Sequence, residues 1–293
     1  MIAETTLGAL AALGAAMLWA VTSLLVRSLM AELGSVAVNA IRTGAGGVLL
    51  LVWVLATGGP GALTAMSARV FALLALSIVA AIAVGDTVFF ESTKAIGLGR
   101  AMTISMSYPV GAAVLAAVFL GEPLTLPVAA GALLTLGGLT LIVAPWTERP
   151  RGERFWPGVG MATLASLAWA VAVVLLKAPL QEVDPVTAQA VRLPLAAVVL
   201  GLTPWARGAL RRLARSTRGA RVRLAALGIL TAVSAVLFVA SVKYAGVAAA
   251  AVLSSTAPMF AIPLGWIFLG ERLSRAALLG AGVTVAGIVV LRM

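Results

Sequence analysis

The sequence contains no cysteine and no histidine among its 293 residues. The first absence excludes disulfide staples and thiolate nucleophiles. Together they remove the usual zinc ligands and imidazole acid–base chemistry. Charge is scarce as well. Asp, Glu, Lys and Arg make up 11% of the chain, where a soluble domain carries about 25%. Apolar residues make up 62%, and so few charges cannot coat that much apolar surface. The composition is that of a polytopic membrane protein with no sizeable aqueous domain. Acids are the rarer charge, 10 against 21 basic residues, for a net charge of +11. The basic residues fall between long apolar runs, so they read as loop charge at a membrane surface and not as a nucleic-acid footprint. No dense acidic cluster offers a metal site. No cofactor or metal is expected, and a membrane enzyme acting on lipid-linked substrates is disfavoured.

What the chain has in abundance is apolar runs of about the ~20 residues that cross a bilayer. They cover 7–26, 37–56, 70–90, 101–120 and 126–144, then 158–176, 188–203, 224–242, 248–269 and 276–291. Only Glu4 carries charge ahead of the first run. A signal peptide needs a basic start, so the run reads as a retained helix. Residues 147–157 are charged and contain Pro150 and Pro157, which makes them the clearest boundary in the chain. The expected organisation is 1–146, a linker 147–157, and 158–293, with five spans on either side.

The two halves repeat one another. Residues 105–122 and 254–271 both begin with serine, both carry a proline four residues later, and both end in Phe-Leu-Gly-Glu. Trp19 and Trp169, Asn39 and Gln189, and Arg42 and Arg192 are each separated by 150 positions. Lys94 and Lys243, Pro109 and Pro258, and Glu122 and Glu271 are each separated by 149. A constant offset over this length marks a repeated unit. Five spans is an odd number, so the second unit enters the membrane from the opposite side. The expected fold is all-α, with ten transmembrane helices arranged as two inverted five-helix repeats.

The motifs Leu18-Trp19-Ala20, Tyr108-Pro109, Ala168-Trp169-Ala170, Lys243-Tyr244-Ala245 and Ala257-Pro258 follow one another in this order. With them stand Leu120-Gly121-Glu122-Pro123-Leu124 and Leu269-Gly270-Glu271-Arg272-Leu273. Over almost the whole chain this pattern resembles the ten-helix EamA-type members of the drug/metabolite transporter superfamily. The resemblance implies a non-enzymatic secondary carrier in the cell membrane, often an exporter, that moves a small polar metabolite by alternating access. It also implies that helices one to four of each half surround a central cavity, with helices five and ten outside. Amino acids are the leading substrate class. A lipid or lipid-linked sugar flippase and a multidrug or cation exporter are the alternatives. Protons are a candidate coupling ion, and the carrier is expected as a monomer or a homodimer.

Charged groups within the spans mark the candidate site, because each costs roughly 2.5–3.5 kcal/mol at the bilayer centre unless it faces a cavity or a partner. Arg42 and Asp86 fall in the same half of the bilayer on antiparallel neighbours and can pair. Asp86 is the deepest acid and reads as a proton-coupling group, with Glu91 beside it. Glu91 also stands three residues from Lys94, a spacing that allows an ion pair along one helix. In the second half Asp86 aligns with Ala235 and Glu91 with Ala240, which leaves Arg192 without an acid in its own repeat. Arg192 then either seats a carboxylate or phosphate or snorkels to a helix end. Trp19 and Trp169 either line the cavity or pack the core, and Tyr108, Asn39 and Gln189 complete the candidate substrate-binding set. Pro109 and Pro258 are hinges or plain kinks. The glycines at 44, 46 and 47 read as close helix packing, not as a phosphate loop. The stretch 207–223, which holds Arg207, Arg211, Arg212, Arg215, Arg218, Arg221 and Arg223, reads as a topology signal or an anionic-lipid contact. Most cations follow odd-numbered spans, so the positive-inside rule puts those loops in the cytoplasm and both termini outside. Family resemblance puts both termini inside.

Overall fold

The computed structural model describes residues 2–59, 61–96, 101, 104–143, 154–257, 259–260 and 275–291. Every regular element among them is helical. The first half holds α1 (Ile2–Leu33), α2 (Ser35–Thr57), α3 (Ala68–Ile96), α4 (Tyr108–Leu120) and α5 (Leu126–Val143). The second holds α6 (Phe155–Leu176), α7 (Pro185–Gly201), α8 (Arg218–Ala245), α9 (Val247–Ser254) and α10 (Arg275–Leu291). Among the described residues α1, α2, α3, α6 and α8 are each long and apolar enough to span a bilayer. Pro258, Glu271 and residues 147–153 of the linker lie outside the described residues.

Local sequence explains where the helices start and stop. Ser67 accepts a hydrogen bond from the Val70 amide at the start of α3, and Thr217 accepts one from Ala220 at the start of α8. Asp184, in the turn before α7, accepts from the amides of Val186 and Thr187 at 2.9 and 3.0 Å. Burial alone would raise the Asp184 carboxyl, but hydrogen bonds from the Thr187 side chain and from the backbone amides outweigh it and hold the group below the usual carboxylate range. The span expected over 101–120 is broken. A turn at residues 106–107 precedes α4, and Pro109 stands in the first turn of that helix. There its missing N–H has no intrahelical partner to lose. Pro109 therefore starts a helix and does not interrupt one. The basic stretch after α7 is likewise not a plain loop. It contains a helix, Ala209–Arg215, and the segment Pro204–Arg215 turns away from α7 by 87°.

The packing shows how the two halves are related. α1 packs along α8 as α3 packs along α6, and α4 touches α6 as α9 touches α1. These are the same pairs with the halves exchanged. α2 pairs with α7, and α5 pairs with α10, each across the axis between the halves. At the first crossing Gly44 faces Ala197 and Gly47 faces Pro194. At the second, Gly138 faces Thr284 and Gly287 faces Thr135. In both crossings residue numbers rise on one helix as they fall on the other, so the paired helices are antiparallel. A two-fold axis that relates antiparallel helices lies perpendicular to them, hence in the membrane plane. The repeats are inverted.

Outward faces are apolar, with Phe119 and Leu126 among the most exposed side chains. Trp53, Trp156 and Trp205 are exposed near helix ends, where an interfacial aromatic belt places them.

A side chain at Gly138 has nowhere to go. A Cβ there would lie 2.5 Å from the Thr284 amide nitrogen and 2.6 Å from the Gly280 carbonyl oxygen, whereas one at the adjacent Gly137 would meet nothing within 4 Å. Gly138→Ala is therefore expected to force α5 and α10 apart at a cost of roughly 1–3 kcal/mol, with Gly137→Ala close to neutral. Thermal unfolding of the two variants in detergent checks this, and equal midpoints would show that the crossing is not close-packed.

Candidate functional site

The site grows from one irregular stretch of α3. Residues Val79–Asp86 form a wide π-type turn within the helix. Such turns open the i→i−4 ladder and free carbonyls for other donors. The Ala81 carbonyl accepts from Trp169 Nε1 at 3.1 Å, and the Ile82 carbonyl accepts from Asn39 Nδ2 at 3.3 Å. The turn also aims the Asp86 carboxylate inward. Arg42 donates to Asp86 through Nη2 in a short ion pair and to Asn39 Oδ1 through Nε at 2.7 Å. Trp169 Nε1 adds a bond to Asp86 Oδ1 at 3.1 Å. Arg42 is 3% and Asp86 4% exposed. At such burial each charge depends on the other, and removing one partner of a buried pair costs about 3–5 kcal/mol.

The second half repeats this arrangement with one part missing. Arg192 is 2% exposed. It donates through Nη1 to Gln189 Oε1 and through Nε to Ser77 Oγ, both at 3.0 Å. Gln189 in turn donates to the Ala235 carbonyl at 2.7 Å. No described carboxylate lies within ion-pair distance of Arg192. Trp19 mirrors Trp169, and the two rings meet edge-to-face with centroids 6.1 Å apart. The Trp19 indole N–H is buried and has no hydrogen-bond partner among the described residues.

Between the halves lies a cavity of about 910 Å³, counting its opening to solvent. Trp19, Arg42, Asp86, Tyr108, Trp169, Gln189 and Arg192 all line it, so the structure brings these seven sequence-expected residues together. Its wall is drawn from helices one to four of each half, and no described residue of α5 or α10 contributes. Asn39 sits behind Arg42 and orients it. Tyr108 donates through its hydroxyl to the Ala251 carbonyl at 3.0 Å, which ties α4 to α9.

Glu91 is placed elsewhere. It pairs with Lys94 at 2.7 Å and accepts from Ser35 at 2.6 Å, half-exposed and away from the cavity. Two residues that sequence reasoning passed over shape the site. Ser77 holds Arg192, and nothing in the run around it names that distant partner. Gly85 precedes Asp86, and a Cβ there would lie 2.6 Å from the Trp169 indole. The signal for Gly85 was its position next to the only acid deep in a span. Gly85→Ala is expected to displace the Trp169 indole from Asp86 and to destabilise the fold by roughly 1–3 kcal/mol. Tryptophan fluorescence together with thermal unfolding reads both effects, and an unchanged emission maximum would mean that the indole stays in place.

A polytopic bundle of inverted repeats around a central cavity that holds a few buried polar and charged groups is the architecture of a membrane carrier. The sequence profile of the EamA-like transporter family matches the chain twice, over residues 6–144 and 156–293, and the chain belongs to that family. It is 27% identical over 222 residues to an uncharacterized transporter of Archaeoglobus fulgidus, covering 75% of each chain. It is 28% identical over 287 residues to a WAT1-related chloroplastic protein of Arabidopsis thaliana, covering 92% of this chain and 66% of the plant protein. A crystal structure superposes with a TM-score of 0.79 at 19% identity, covering 97% of this chain and 94% of the other, and supports the fold.

Proposed function

We propose that this transporter exports a small polar metabolite, with amino acids as the leading class, from the cytoplasm across the cell membrane. Its two units, 1–146 and 158–293, joined by the linker 147–157, expose the central cavity to the two sides in turn. The observation that carries this reading is the cavity itself. It lies on the pseudo-two-fold axis, is lined from both halves, and holds the buried Arg42–Asp86 pair on its wall. Rocking one half against the other changes which side the cavity faces without dismantling either wall. The unpaired Arg192 on the same wall disfavours the cation-exporter alternative.

Asp86 is the proton-coupling group in this proposal. Arg42 and Trp169 hold it as a carboxylate. Protonation would release Arg42 and alter the cavity charge by one unit. Labelled amino acids are loaded into proteoliposomes and transport is driven by a pH gradient. Asp86→Asn is expected to lose the pH-driven component while the protein remains in the membrane. Normal pH-driven transport by that variant would make Asp86 structural, and no movement of any solute by the native protein would overturn the transporter reading.

Orientation follows the charge count in this proposal. The arginine-bearing segment after α7 is cytoplasmic and both termini are outside. The native chain has no cysteine, so an Ala214→Cys variant carries a single exposed thiol. A membrane-impermeant maleimide is expected to leave it unlabelled in intact cells and to label it after permeabilisation. Labelling in intact cells would place this segment outside.

A further inference from the structure

We propose that the cavity contains a seat for a single carboxylate on the side of the second half, formed by Arg192 and Trp19 over Ala235. The occupant is the single carboxylate of a small metabolite with an apolar body, an amino acid with an apolar side chain included. The inference rests on the transporter reading above and identifies the end of the substrate that the site recognises.

The argument comes from the broken symmetry of the two halves. In the first half a carboxylate, Asp86, receives Arg42 and the Trp169 indole N–H. The equivalents of those donors are Arg192 and Trp19, and the equivalent of the acid is Ala235. All three line the cavity. Arg192 and Trp19 are left as the donors would be if the carboxylate had been lifted out. Arg192 uses Nε and one Nη1 hydrogen on Ser77 and Gln189. Its Nη2 group has no described partner, and a guanidinium carries five N–H donors in a planar fork suited to a carboxylate. The Trp19 N–H is buried and unsatisfied among the described residues, and so are the hydroxyls of Thr231 and Ser254 on the same wall. Buried donors without partners are rare in folded proteins. Here three of them belong to the same cavity wall as one buried cation that has no described counter-charge.

The charge count limits the occupant. One unpaired arginine neutralises one negative charge, and a phosphate ester at ~−1.5 to −2 would leave the excess against apolar side chains. Ile78, Val173, Leu193 and Phe238 form that apolar part of the wall. Asp86, the only described acid on the wall, is already engaged by Arg42. The carboxylate is therefore the group that is read.

The test titrates the purified protein with 4-methylpentanoate, leucinamide and inorganic phosphate, and reads binding as a saturable rise in thermal midpoint. Only 4-methylpentanoate is expected to bind. Arg192→Gln should weaken it by about tenfold or more, and Trp19→Phe, which keeps a ring and removes the N–H, should weaken it less. Ala235→Asp supplies the missing carboxylate from within and should abolish binding, while Ala235→Asn retains it. Undiminished binding in Ala235→Asp, equal loss in Ala235→Asn, or no saturable binding to the native protein would overturn the seat. Proteoliposome transport separates the two readings. Transport of a solute without monocarboxylate binding sinks the seat alone, whereas binding without transport of any solute sinks the transporter reading alone.

Discussion

The contact on which the first half depends is the buried ion pair between Arg42 and Asp86. A guanidinium cannot remain inside an apolar bundle without a counter-charge and hydrogen-bond acceptors. Much of the local architecture supplies them. Asn39, one helical turn earlier on α2, accepts from Arg42 Nε. The π-type turn of α3 directs Asp86 inward and frees two carbonyls. Gly85 leaves space for Trp169 to reach Asp86 from the other half. The pair is thus held by groups from three helices and by both halves of the chain.

The same frame explains why the two cavity walls differ. The inverted repeat places Arg192, Gln189 and Trp19 where symmetry requires them. It cannot restore the acid, because Ala235 replaces it. Arg192 instead leans on Ser77 and Gln189, which are neutral. The cavity therefore has one compensated arginine and one uncompensated arginine facing the same space. A repeated five-helix unit with a carboxylate in only one copy thus gives the cavity two unlike walls.

Close packing on the axis is the mechanical counterpart of that chemistry. Apolar side chains gain little by leaving lipid, so helices in a bilayer associate through close van der Waals fit and small residues. Gly44 and Gly47 let α2 approach α7, and Gly138 and Gly287 let α5 and α10 interlock with Thr284 and Thr135. No described residue of α5 or α10 lines the cavity. The helices that line the cavity are bound to the other half both by long contacts, α1 along α8 and α3 along α6, and by the α2–α7 crossing on the axis.

The periodic offset, the parity of the spans and the lack of polar surface were enough to read an all-helical membrane protein of two inverted repeats from the amino-acid sequence alone. Those features are one-dimensional, because hydropathy and repeat spacing act along the chain. The pairing of Arg42 with Asp86 was legible for the same reason, since antiparallel neighbours set both at similar depth. What the sequence could not carry was the set of contacts between non-neighbouring helices. Nothing in the run around Ser77 points to Arg192, and nothing around Trp169 points to the opened ladder of α3. Glu91 and Asp86 look alike along one helix. Only the rotation of that helix, with its π-type turn, sends Asp86 into the cavity and leaves Glu91 beside Lys94. Pro109 reads as a break within a span until the backbone shows a helix beginning there. These outcomes depend on helix rotation and crossing angle, which the packing of the whole bundle decides together.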